Sequence, residues 1–159
     1  LDLRCADEVE AALARMRREV ARAAPAMNDV AESFIVERML EAPLAELLIN
    51  IRADDQFGMA LTLASGGVLV EVVADAITLL LPTDAVEIRA ALARLKIAPL
   101  LDGFRGRAAA DSDHLARIIV RLADYAIAER DSIAEIEINP LLVYADDAVA
   151  VDALVQEWA

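Results

Sequence analysis

Cysteine, lysine and histidine each occur once in 159 residues, and aromatic side chains make up only 4% of them. Cys5 has no second thiol to pair with, so an internal disulfide is excluded and a reducing cytoplasm is the expected compartment. With 58% hydrophobic residues and few rings, the core must be aliphatic, and the length is one domain's worth. Basic charge is short as well: 15 Lys and Arg stand against 28 Asp and Glu, for a net charge of -13. That balance argues against a nucleic-acid partner, whose phosphates need clustered cations, and against an anionic membrane surface. No apolar run is long enough to span a bilayer. The longest uncharged stretch, Gln56 to Val70, falls short of the roughly 18 residues required and contains Gly66-Gly67. The sequence opens at Leu1 with neither a methionine nor a basic and apolar leader, so we expect no signal peptide and a piece of something longer. The lone lysine, Lys96, is predicted at a helix end, where a cation complements the dipole. Polyphosphates are usually held by flexible ammonium groups, so this chain can supply only half of such a site.

What the sequence does have is a concentration of oxygen ligands near its end. In Ala134-Glu135-Ile136-Glu137-Ile138-Asn139-Pro140, the period of two in a strand sends Glu135, Glu137 and Asn139 to one face and the apolar residues to the other. A hairpin returning from Leu141–Tyr144 through Ala145-Asp146-Asp147 to Ala148–Asp152 can bring Asp152 back towards the same face. Hard oxygen donors gathered in this way suit Mg²⁺, which takes one or two carboxylates, substrate phosphates and water.

Along the rest of the chain, Asp7 with Glu10 resembles a capping box opening a helix with Val9, Leu13, Met16 and Val20 on its apolar side, closed by Pro25. Ser33–Met39 and Leu44–Ile51 read as strands, Phe57–Leu63 with Val68–Val73 as a hairpin around Ser65-Gly66-Gly67, and Ile77–Leu81 as a strand stopped by Pro82. Thr83 or Asp84 can cap a helix burying Ile88, Ala91, Leu92 and Leu95. Asp111 to Asp113 can cap another, with Leu115, Ile118, Leu122 and Tyr125 inward. Strands and helices are segregated, which predicts an α+β fold, a mixed or antiparallel sheet with helices packed on one side.

The order of Phe34-Ile35-Val36-Glu37-Arg38-Met39, Ala45-Glu46-Leu47-Leu48, Asp55-Gln56-Phe57-Gly58, Gly66-Gly67-Val68-Leu69-Val70-Glu71, Leu101-Asp102-Gly103-Phe104-Arg105-Gly106 and Glu135-Ile136-Glu137-Ile138-Asn139-Pro140 resembles the ATP-grasp domain of NDP-forming acyl-CoA synthetases. That family includes ADP-forming acetate–CoA ligase and is related to the β subunit of succinyl-CoA synthetase. The resemblance covers nearly the whole chain, residues 1–159, and implies the C-terminal lobe of an ATP-grasp fold, a fragment of a larger multidomain protein. It implies that the full-length protein converts a carboxylic acid, CoA and ATP into acyl-CoA, ADP and phosphate through an acyl phosphate and a phosphohistidine. CoA and the acid would be bound by CoA-ligase domains outside this chain or on a partner subunit. The fragment alone would be inactive.

Position by position, the resemblance implies that Asn139 and Asp152 are Mg²⁺ ligands and that Glu137 is the catalytic acidic residue near the transferred phosphate. Glu37 would hold the adenosine of ATP or ADP, Arg38 and Met39 would offer backbone groups to the base, and Glu46 would contact the nucleotide one residue further on than in the succinyl-CoA synthetase pattern. Two departures stand out. Ile77-Thr78-Leu79 lies where relatives often carry a basic residue, and Ala64-Ser65-Gly66-Gly67 is a less glycine-rich turn than theirs.

Plainer readings accompany each assignment. Glu137, Asn139 and Asp152 also suit a solvated strand face ending in a turn, since Asn-Pro is ordinary turn chemistry, and Glu135 reads as a surface carboxylate. Glu37 fits an arginine salt bridge as well as it fits ribose. Arg105 reads as anchored in its loop, His114 as a structural residue in a first helical turn, and Cys5 as a small buried side chain. At the level of the whole chain, the other readings are a non-catalytic interaction or regulatory module on the same scaffold, or another ATP-grasp ligase such as a succinate–CoA ligase relative.

Overall fold

Alternating burial along one strand sets the architecture. In β1 (Ala45–Asp54), Ala45, Leu47, Ile49 and Ile51 are buried, while Glu46, Leu48 and Asn50 lie on the other face, half-buried. A strand patterned in this way must have a packed side and an open side. The computed structural model describes residues 3–23, 34–67 and 75–158. The chain divides into two compact units, Leu1–Ala42 and Pro43–Ala159.

The second unit is built on an antiparallel sheet. β2 (Gly58–Ser65) pairs with β1 and with β3 (Ala76–Leu80), and β1 pairs on its other side with β4 (Ile133–Val143). The far edge of β4 is covered first by β5 (Ala148–Ala150) and then by β6 (Ala153–Glu157). Helices α2 (Ala85–Leu92), α3 (Ala98–Leu101) and α4 (Ser112–Ala128) follow β3 and precede β4. Ile88, Leu92, Leu101, Leu115 and Ile119 join Leu47, Ile49, Ile51, Leu61 and Leu63 in one aliphatic core. The helices therefore cover a single face of the sheet, as expected of the α+β class, and each fully buried Leu or Ile contributes roughly 1.5–3 kcal/mol. Aspartates start the two longer helices. Asp84 accepts from the Val86 and Glu87 N–H groups at 2.8 and 2.9 Å, and Asp111 accepts from the His114 N–H at 2.8 Å. Each carboxylate satisfies first-turn donors that have no partner within the helix.

In the first unit, α1 (Ala6–Ala23) opens with the Arg4 N–H donating to Glu8 at 2.6 Å, so Glu8 and not Glu10 closes its first turn. Cys5 is exposed beside it, which corrects the expectation of a buried thiol. Residues 34–43 form no regular structure, which overturns the strand expected over Ser33–Met39. Ile35 and Val36 have strand-forming side chains, but they are 87% and 73% exposed and lack a ladder partner among the described residues. The second strand of the hairpin expected around Gly66-Gly67, Val68–Val73, lies outside the described residues. No helix among those described is long and apolar enough to cross a membrane.

α4 keeps only part of its predicted face: Leu115 is buried and Leu122 packs against the core. Its buried residues are Leu115, Ala116, Ile119, Ala123 and Ala126, while Tyr125, expected inward, is 52% exposed. Lys96 falls in the turn after α2, beyond the helix end where it was predicted.

Candidate functional site

The open face of the sheet carries the polar side chains. Leu48, Asn50, Arg52 and Asp54 of β1, Ala60 and Thr62 of β2, Thr78 of β3, and Glu135 and Glu137 of β4 line a concavity of about 570 Å³. Glu135 and Glu137 share this face through the period of two, as the sequence predicts. The Asn50 side-chain nitrogen donates to Glu135 at 2.5 Å and to Glu137 at 3.4 Å. Thr62 and Thr78 join their hydroxyls across β2 and β3 at 3.0 Å.

At one end of this face, the ladder between β1 and β4 slips by one residue. Ile49 pairs with Ile138, but Leu47 pairs with Leu141, so the cis-linked Asn139-Pro140 forms a bulge. Bulges re-aim side chains. Here the Asn139 side-chain oxygen accepts from the Gly67 N–H at 3.3 Å, reaching the residues that follow β2. Gly67 lies against Glu46 as well, because a methyl group added at Gly67 would stand 1.9 Å from a Glu46 carboxylate oxygen. Glu46, Gly67 and Asn139 are thus assembled in one place.

Asp152 arrives from the other edge of β4. Pairing of Leu141 with Ala150, and of Ile138 with Ala153, leaves two residues on each strand between those pairs, which puts Asn139 opposite Asp152 and Pro140 opposite Val151. The Asn139 N–H donates to the Asp152 carbonyl at 3.2 Å, and the Val151 N–H donates to the Pro140 carbonyl at 3.2 Å. The return strand expected over Ala148–Asp152 is therefore interrupted at Val151-Asp152, in step with the bulge facing it.

The donor set fits a hard cation. Asn139 offers a carboxamide oxygen with a second lone pair beyond the one Gly67 engages, and the exposed Asp152 carboxylate has no hydrogen bond or ion pair among the described residues. No group of three or more His, Cys, Asp or Glu among those residues could hold a metal ion.

Glu37, Arg38 and Met39 belong to the first unit, where all three are exposed and Glu37 has no ion pair among the described residues. His114 sits in the first turn of α4 with its ring 3.9 Å from Asp147. Arg105 has a positive φ of 51° and stacks its guanidinium on Phe104, 5.2 Å from the ring centre. Sequence reasoning missed Asn50 and its bond to the carboxylates. The available signal was a carboxamide at an outward-facing position of an otherwise aliphatic strand.

An antiparallel sheet with helices on one face and acidic and amide oxygens on the other matches a recognised class. Residues 1–156 match the ATP-grasp domain family, and the chain belongs to that family. The relatives that it matches include ADP-forming acetate–CoA ligases and a feruloyl-CoA synthase. The chain is similar to the β subunit of ADP-forming acetate–CoA ligase I of Pyrococcus furiosus, with 37% identity over 120 residues that make up 75% of this chain and 50% of that protein. It is 31% identical over 156 residues to a trans-feruloyl-CoA synthase from an unknown prokaryotic organism, covering 97% of this chain and 22% of the synthase. The chain spans about half the length of the acetate–CoA ligase β subunits that it matches. Among solved structures, acetyl-coenzyme A synthetase 1 of Ca. Korarchaeum cryptofilum, in complex with coenzyme A and Ca-AMPCP, superimposes with a TM-score of 0.79. Its identity is 26%, covering 99% of this chain and 67% of that one. A second structure of that enzyme, with coenzyme A and Mg-AMPPCP, has a TM-score of 0.69 at 28% identity, over 75% of this chain and 55% of that one.

Proposed function

We propose that this chain is the Mg²⁺- and nucleotide-binding C-terminal lobe of the ATP-grasp domain of an ADP-forming acyl-CoA synthetase, one part of a larger multidomain protein. The complete enzyme would make acyl-CoA from a carboxylic acid, CoA and ATP, releasing ADP and phosphate. CoA and acid would be bound by CoA-ligase domains elsewhere in the protein or on a partner subunit. The observation that carries this reading is the placement of Asn139 opposite Asp152, beside a face bearing Glu137.

In this reading, Asn139 and Asp152 hold Mg²⁺ together with the nucleotide phosphates. The ion supplies charge compensation for phosphoryl transfer when bound. Glu137 orients the phosphate acceptor, and its tie to Asn50 restricts the carboxylate to one side of the concavity. Glu46 contacts the nucleotide from beside Gly67, and Glu37, Arg38 and Met39 contact the adenosine. The Mg-AMPPCP and coenzyme A complexes of the Korarchaeum enzyme support the choice of ligands.

The test uses the full-length protein. Asp152→Ala is expected to abolish ATP-dependent thioester formation with CoA and a panel of carboxylic acids while leaving the unfolding transition in place. Unchanged turnover rejects the assignment. The isolated chain is expected to bind ATP only weakly because the opposite lobe is missing, and micromolar affinity by calorimetry contradicts that expectation.

A further inference from the structure

Hydrogen bonds at Asp75 and the short backbone segment Ser65-Gly66-Gly67 connect the helical layer to the Asn139 amide, with Asp75 at the head. Ser65, the last residue of β2, is the only polar side chain in the core among the described residues, at 4% exposure. Its hydroxyl donates to Asp75 at 3.0 Å, and its N–H donates to the Asp75 carbonyl at 3.2 Å. The same Asp75 carboxylate oxygen accepts from the backbone N–H of Lys96 at 2.7 Å, in the turn between α2 and α3. One carboxylate thereby joins the end of β2 to the helical layer.

The next two residues pass this restraint on. The Gly66 N–H donates to the Glu46 carbonyl at 2.7 Å. A methyl group at Gly66 would lie 2.6 Å from the Leu47 carbonyl carbon, so the turn presses on the β1 backbone with no room for a side chain. Gly67 follows at φ 69° and gives its N–H to Asn139. A donor fixed in this manner selects one orientation of the carboxamide, with its oxygen rather than its nitrogen presented at the bulge.

We infer that Asp75 is a positioning residue for the metal-ligating amide: through Ser65 and the Gly66-Gly67 turn, it holds the N–H that orients Asn139 opposite Asp152. This inference rests on the proposed Mg²⁺ role of Asn139. Asp75 touches neither the cation nor the nucleotide, and its effect is on how well the site is formed beforehand. Supporting groups that orient a ligand commonly alter metal affinity by tenfold or more when removed.

The experiment uses the full-length protein, with Mn²⁺ in the presence of ADP as the probe, followed by electron paramagnetic resonance. Amide hydrogen exchange at residues 65–67 is measured separately without metal. Asp75→Ala is expected to raise the half-saturating Mn²⁺ concentration about tenfold and to accelerate exchange at Gly66 and Gly67. Asp75→Asn, which keeps an acceptor oxygen for Ser65 and Lys96, is expected to restore both. Ser65→Ala, a milder change, is expected to move both readouts in the same direction by a smaller amount, which covers the case in which Asp75→Ala fails to fold. Unchanged Mn²⁺ binding in a folded Asp75→Ala protein overturns the inference, whatever happens to its melting temperature. If the unaltered protein binds no Mn²⁺ with ADP, the proposed function fails instead, and the exchange measurement still decides whether Asp75 restrains the turn.

Discussion

Asn50 of β1 faces Glu137 of β4 in register, and its single amide nitrogen donates to Glu137 and to the neighbouring Glu135. A neutral donor satisfies two carboxylates without cancelling their charge, so this face keeps the negative field that a cation needs. Asn50→Asp replaces the donor with a third carboxylate. We expect it to destabilise the protein by about 1–2 kcal/mol in urea unfolding, through the lost bond and the like charge opposite. High salt should recover part of the loss, since the site is open to solvent. A salt-insensitive loss would point to packing instead.

The two glycines after β2 should respond differently to a methyl group. At Gly66 the obstacle is the Leu47 backbone at 2.6 Å, which cannot move aside, whereas at Gly67 it is the tip of the Glu46 side chain at 1.9 Å, which can. Gly67→Ala keeps the cost of the left-handed backbone, about 1–2 kcal/mol. Gly66→Ala should cost more than that, because the turn must leave β1. Combining Gly67→Ala with Glu46→Ala should relieve only the steric part, and a double-mutant cycle by denaturant unfolding reads that coupling.

The orientation of α4 can be checked with two substitutions. Ile119 is fully buried and Tyr125 is 52% exposed. Ile119→Ala is expected to cost about 2–5 kcal/mol, and Tyr125→Ala to stay within about 0.5 kcal/mol. The reverse order would restore the helix face predicted from sequence.

That helix shows what the sequence conceals. Ile118 and Tyr125 satisfy helical spacing as well as the true core positions do, and three of those true positions, Ala116, Ala123 and Ala126, are alanines whose inward role follows from close packing alone. The aspartate caps, the aliphatic alternation of β1 and the Glu-Ile-Glu-Ile-Asn-Pro strand were legible because their signals are local. The same is true of the single-sided helical layer, which follows from the segregation of strands and helices. Bonds such as Gly67 to Asn139 and Asn50 to Glu135 join residues 72 and 85 positions apart, and no local pattern announces them. The strand expected over Ser33–Met39 failed over its described part, residues 34–39, for a related reason: Ile35 and Val36 have strand propensity, but a strand also requires a partner edge, and none lies beside them among the described residues.

Acid should weaken the fold partly through two aspartates. Backbone hydrogen bonding from His114 holds the Asp111 carboxyl below its ordinary value of 3.8, and the N–H groups of Gln56 and Phe57 do the same for Asp54. A carboxyl whose folded value is lowered binds its proton more readily in the unfolded chain. Its contribution is therefore complete above the ordinary value and is lost as pH falls through the lower, folded one. The melting temperature should accordingly hold steady down to about pH 4 as far as these groups are concerned, and decline below it. Asp111→Asn keeps an acceptor for the His114 N–H but cannot titrate, so its acid decline should be shallower than that of the unaltered protein. Thermal melts in steps from neutral pH into this acid range measure both slopes, and parallel curves would assign the decline to other carboxylates.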